Sequence, residues 1–278
     1  MNNLSTSATE SINQARFAEQ GREALMEEIA ALDIRLLAIS LAAAALIAWA
    51  IGRRMGEQLQ HRGDTRPSKF DDASMALFGL LLAFTFGTSL AKHDQRRLAL
   101  IADSNAVGDF YTCASLLKEP TRSRLQAVVR QYAQLRRDLS RARLTSSDLE
   151  NALAKSRQLH DQMTELVTQA LGDGTPIAVS LTNTLNAVTS NEASRLAAFR
   201  DRLPNSILVL LLVSAILTVM LIGREQGMAG TSDIAGTLCF IVLVSMSIYV
   251  TLDLNRPDSG FIRVSQEPIE RLLSTMIR

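Results

Sequence analysis

Between Ala73 and Ala91 the chain reads ASMALFGLLLAFTFGTSLA, nineteen residues without a charge. As a helix rising about 1.5 Å per residue, that stretch is about long enough to cross a bilayer's hydrocarbon core. Water is absent there, so the backbone must bond to itself, and an apolar run of this kind does so as a helix. The character flips at KHDQRR, residues 92 to 97, with no Pro to stop the helix and no Gly before Gly108. The span therefore continues into water as a polar helix, and the chain reads as a membrane protein.

Two stripes run along this span. Gly79, Ala83, Gly87 and Ala91 recur every fourth residue, and such a small-residue face predicts close helix packing in a membrane. Beside it, Phe78, Leu82 and Phe86 form a bulky stripe with Leu90. That stripe is either an apolar constriction on a pore axis, gating by dewetting, or ordinary contact with lipid and helices. Past the span, Lys92, Arg96 and Arg97 read either as a charged vestibule that concentrates anions or as a plain basic flank.

Four apolar blocks set the organisation. Residues 1–32 are polar and net acidic, with Leu25, Ile29, Leu32 and Leu36 at helical spacing, so an amphipathic helix leads into the first span. Residues 33–91 hold spans one (about Ile34 to Ile51) and two. Residues 92–204 form a soluble insert without strand alternation. Its seams, such as Leu125, Val128, Tyr132, Leu135 and Leu139, step by three and four and predict a four-helix bundle. Asn105 interrupts an apolar seam, where a polar residue fixes register.

Residues 205–252 hold spans three and four, joined by a glycine-rich link from Gly223 to Asp233. Ser245, Tyr249 and Asp253 give span four a polar face directed to protein or water. Residues 253–278 form a tail that opens on DLNRPDSG, continues through a strand-like FIRV and ends in a helix from about Pro268. Asp253, Arg256, Pro257, Asp258 and Gly260 make this opening either a turn packed on the insert or a binding site. The expected class is all-α: a polytopic membrane protein with four transmembrane helices and a helical-bundle insert between spans two and three.

Several functions find no support. A net charge of +1 makes no case for nucleic acid. Cys113 and Cys239 fall in different phases, and His61, His93 and His160 lie far apart without metal-ligand spacing, so neither a disulfide nor a metal site is expected. No nucleophile elbow, phosphate loop or paired carboxylate appears, so neither an enzyme nor a cofactor is expected. The N-terminus does not read as a signal peptide.

GLLLAFTFGTSLAKHDQRR, then DSNAVGDFY, then RLP before span three and LDLNRPDSGFIRVS after span four resemble the bacterial bestrophin-like family of unknown function. The resemblance covers roughly Ala73 to the C-terminus. It implies four spans with a helical insert and a relation to bestrophins, which are pentameric anion channels whose second span lines the pore. Asp103 stands where the family tends to carry Glu, keeping the charge with a shorter reach, and the long acidic N-tail is not typical.

Two readings follow. One is a homo-oligomeric, bestrophin-like anion channel lined by span two. The other is a non-conducting scaffold whose insert binds a cytosolic or membrane partner protein. Twelve Lys and Arg near span ends on the side of the insert and tails, against six on the other side, place the N-terminus, insert and C-terminus in the cytoplasm of a cell with the protein in its inner membrane. In intact cells lacking the Cys113 thiol, Ser147→Cys should resist a membrane-impermeant thiol reagent and Gly63→Cys should label. The reverse pattern would turn the protein over.

Overall fold

A backbone without water must pair with itself, and this chain does so in helices. A computed structural model describes residues 34–61, 69–141, 146–231, 233–256 and 261–276. The helices are α1 (Ile34–His61), α2 (Lys69–Ser115), α3 (Thr121–Arg141), α4 (Ser146–Gly172), α5 (Ala178–Arg200), α6 (Asn205–Ala229), α7 (Ile234–Leu254) and α8 (Glu267–Met276). No strand occurs among the described residues. Four helical stretches, Leu36–His61, Asp71–Ser115, Ala178–Ala229 and Ile234–Leu254, carry windows long and apolar enough to cross a membrane. The amphipathic helix expected within residues 1–32 lies outside the described residues, as do Pro257, Asp258 and Gly260.

The described residues fall into two compact units, one within Met1–Leu82 and Val209–Val250, the other within Ala83–Leu208 and Thr251–Arg278. In the first unit, glycines decide the packing. A Cβ added at Gly52 would overlap the Met220 carbonyl, and one at Gly56 the Arg224 carbonyl. Reciprocally, Cβ atoms at Gly223 and Gly227 would overlap the carbonyls of Trp49 and Arg53. Both pairs have the spacing of a close-packing helix motif, and their partners advance together along the chain, so α1 and α6 run parallel there. The stretch from Gly223 is thus not a link. The helix continues to Ala229, and Gly230, at φ +66°, ends it as Thr231 N–H bonds to the Gln226 carbonyl at 3.2 Å, in a Schellman turn.

Side chains complete this unit. Ala45, Val219 and Ile241 form a small apolar core from α1, α6 and α7. The Trp49 indole donates to Gln226 Oε1 at 3.0 Å, and Gln226 Nε2 donates to Thr237 Oγ1 at 2.8 Å. Trp49 therefore spends its polar handle on α6.

The second unit is built on a bundle. Phe110 of α2, Tyr132 of α3, Met163 of α4 and Leu181 of α5, all fully buried, lie in one core. Their seams recur at helical spacing, which is why four amphipathic helices close on one another. A fifth helix joins them: Ile269, Leu273 and Met276 of α8 enter the same core. Burying each is worth roughly 1.5–3 kcal/mol. Arg130 caps this helix by donating to the Met276 carbonyl at 2.7 Å. Asn105 is exposed, so it fixes no buried seam; Asp103 and Ser104 beside it are the buried polar residues.

FIRV is not a strand. The Asp253 carboxylate accepts the backbone N–H groups of Phe261 and Ile262, each at 2.8 Å, so a side chain occupies donors that a sheet would have needed.

Gly223→Ala should destabilise the protein by about 1–3 kcal/mol, because the obstructing atoms are backbone and cannot rotate away. Gly172→Ala, with nothing within 4 Å of the new Cβ, should be neutral or slightly stabilising. Thermal unfolding in detergent separates the two.

Candidate functional site

Helix α2 presents contrasting faces. In the first unit Phe78 is 4% exposed, Leu82 is half-buried and Gly79 is exposed. In the second unit Ala83, Gly87 and Ala91 are exposed, with Phe86 at 38% and Leu90 at 43%. Among the described residues nothing lies within 4 Å of a Cβ built on Gly79 or Gly87. The small stripe is therefore open along its length, whereas the bulky stripe begins buried and ends exposed. Phe78 packs inside the protein and faces no open surface.

The basic run past the span divides just as sharply. Arg96 is 1% exposed and is not a vestibule charge. Its guanidinium donates to the carbonyls of Ala198 (3.2 Å), Leu254 (2.8 Å) and Asp201 (2.8 Å). These lie at the C-terminal ends of α5 and α7, where carbonyls lack helical partners and the helix dipole favours a cation. Lys92, one turn earlier, pairs with the Asp201 carboxylate at 2.5 Å. Arg97 alone of the three is on an exposed surface, close in sequence to Asp94, whose side chain is 61% exposed.

Deeper in the insert, one polar layer draws on all four bundle helices. Asp103 of α2 accepts from Arg136 of α3, whose other terminal nitrogen donates to Glu192 of α5 at 2.8 Å. Ser156 of α4 donates to the same Glu192 oxygen at 3.0 Å, and Arg195 of α5 lies 3.4 Å from Asp103. The Arg136 guanidinium stacks over the Tyr132 ring, 5.1 Å from its centroid, a cation–π contact. Burial opposes the Arg136 charge, but Tyr132, Asp103 and Glu192 outweigh it and raise its pKa. Arg195 moves the other way, lowered by burial and then by Arg136. Burial raises the Tyr132 phenol, which stays neutral.

At the end of α7, Asp253 is 2% exposed and holds Phe261 and Ile262 as described. Asn255 accepts the Leu203 N–H at 2.7 Å, and Arg256 is half-buried. Pro257, Asp258 and Gly260 of the predicted turn are outside the described residues. Ser245 is buried at 9%, in keeping with a polar face directed to protein.

Sequence reasoning gave Arg136 and Glu192 no site role and counted Arg195 only toward orientation. Their signal is spacing: Arg136 falls four residues after Tyr132 and Glu192 four after Val188, which puts charges at core positions. It likewise passed over Gly52 and Gly56, although they repeat the four-residue spacing of Gly223 and Gly227.

Removing the shared cation tests the layer. Arg136→Met takes the shared cation from two carboxylates, leaving Asp103 with Arg195 and Glu192 with Ser156, and should cost about 3–5 kcal/mol. Asp103→Asn in the same chain should restore part of that loss, read by denaturant unfolding.

A family model, the bestrophin-like domain, matches residues 38–269. Among solved structures, the fold is similar to a bacterial Bestrophin homolog from Klebsiella pneumoniae, at 13% identity and TM-score 0.62, over 88% of this chain and 96% of that one. A point variant of a bacterial Bestrophin homolog from the same organism gives 13% and 0.63, over 88% and 95%. A crystal structure of a membrane protein gives 14% and 0.60, over 87% and 98%. No curated protein matches the chain. At such identities a structural likeness speaks for fold alone, and it agrees with the family model over most of the chain. This protein, a multi-pass helical membrane protein, therefore belongs to the bestrophin-like family.

Proposed function

We propose that copies of this chain assemble around α2 into an ion-conducting pore of the inner membrane, with the N-terminus, insert and C-terminus in the cytoplasm. The open face of α2 carries this reading. Among the described residues no atom comes within 4 Å of a Cβ built on Gly79 or Gly87, and glycine facing lipid only weakens a helix. A stripe of Gly79, Ala83, Gly87 and Ala91 left open suits close packing by another copy. The bestrophin relation points to the same helix as the pore wall.

Within such a pore the membrane-level lining is apolar, since no charge lies between Ala73 and Ala91. Phe86 is then the constriction, because Phe78 is buried and Leu82 is half-buried. A dry constriction resists ion entry, as nothing replaces the hydration shell. Any preference for anions rests on Arg97, because Arg96 is buried and Lys92 is neutralised by Asp201. With Asp94 exposed nearby, that preference is modest.

Planar-bilayer recording with a chloride gradient tests the proposal. Phe86→Ala should raise conductance or hold the pore open. Arg97→Gln should move the reversal potential away from that of chloride, with the effect shrinking at high salt. Gly87→Leu should disrupt assembly, whereas Leu80→Ile, off both stripes, should not. If the purified protein passes no current with Phe86 intact or truncated, and no symmetry axis runs beside α2, the insert is a partner-binding scaffold instead.

A further inference from the structure

Helix α7 carries its own depth gauge. Its membrane-crossing stretch, Ile234–Leu254, has 21 residues and roughly matches the 30 Å hydrocarbon core. Asp253, in its last turn, therefore sits where hydrocarbon gives way to headgroups. Its carboxylate is buried and accepts the N–H groups of both Phe261 and Ile262 at 2.8 Å. Two charge-assisted bonds thus pin that backbone at the level of the span end.

The side chains it carries are nevertheless turned out. Phe261 is 85% exposed and Ile262 36%, while Val264 is buried at 9%. Positive charge gathers at the same level. Arg263 is exposed, and Leu203, bonded to Asn255, brings Arg202 to the end of α7. Burial, and then Arg202, lower the Arg256 pKa, and Asp253 opposes that shift.

We propose that Phe261 and Ile262 form an interfacial anchor, seated at the headgroup–acyl boundary of an anionic leaflet with Arg202, Arg256 and Arg263 toward lipid phosphates. Aromatic side chains favour that depth. Clustered arginines are attracted by anionic lipid, and by the same charge they oppose a second copy presenting the same arginines. The anchor is independent of conduction: it would hold for a pore or a scaffold.

Phe261→Trp in the full chain tests this, since an exposed ring can be exchanged without disturbing the core. The protein is reconstituted in vesicles of phosphatidylcholine and phosphatidylglycerol, and the signal of the single native tryptophan, Trp49, is subtracted using the parent. The added emission should be blue-shifted and lose most of its intensity to bromines placed near the headgroups, less to bromines at the chain ends. Brominated phosphatidylglycerol should quench more than brominated phosphatidylcholine. With Arg202, Arg256 and Arg263 changed to Gln that ratio should fall to about one. Emission at the wavelength of water-exposed indole overturns the anchor. So does blue-shifted emission that no bromolipid quenches, which would place the ring against protein. An unchanged ratio in the Gln variant removes the arginines from the proposal.

Discussion

One guanidinium ties two helix ends together within the second unit. Carbonyls at a helix C-terminus have no partner within the helix, and two such ends, those of α5 and α7, meet at Arg96. Arginine suits this place because its five donors sit in a fixed planar fork and its charge survives burial. The same face of α2 continues the theme. Ser89 donates to the Thr251 carbonyl at 3.2 Å, and Lys92 pairs with Asp201. Residues 89, 92 and 96, on one side of the helix, bind the returning chain, and that leaves the opposite side, with Gly87 and Ala91, exposed.

The layer around Arg136 extends this logic into the insert. Two arginines and two carboxylates are placed where apolar residues would pack well, and a buried ion pair often adds little net stability. Its consequence is a penalty on alternatives. If α3 slid by one turn, Asp103 and Glu192 would lose the cation they share and keep only Arg195 and Ser156, at a cost of several kcal/mol. Because α2, α3, α4 and α5 each contribute a residue, the layer holds all four bundle helices in one register.

The first unit achieves close packing by the opposite means, by removing atoms. Gly52, Gly56, Gly223 and Gly227 let α1 and α6 approach until backbone meets backbone. Between helices in lipid there is little hydrophobic drive, so dense van der Waals contact and a few polar bridges do the work. The Trp49–Gln226–Thr237 chain is one such bridge.

How much of this was legible follows from the range over which each feature is encoded. Four spans, the helical insert and its seams were readable because length, charge and a period of 3.6 residues are local properties of a helix. The bestrophin-like identity was readable from motif order, from GLLLAFTFGTSLAKHDQRR to LDLNRPDSGFIRVS. Other roles were not local. Glycine-rich sequence from Gly223 looked like a link, because a glycine allows a turn and a close helix contact equally well, and only α1 chooses between them. FIRV looked like a strand until Asp253, eight residues earlier, took up its donors. Lys92, Arg96 and Arg97 looked alike as a basic run, yet Lys92 and Arg96 share one face of α2 and both reach Asp201, while Arg97, next to Arg96, points about 100° away into the open. Sequence by itself determined which segments are helices and which of them cross lipid. Tertiary structure alone decided which face of each helix is occupied, because the buried charge of Arg96 is defined by carbonyls brought to it from more than a hundred residues away.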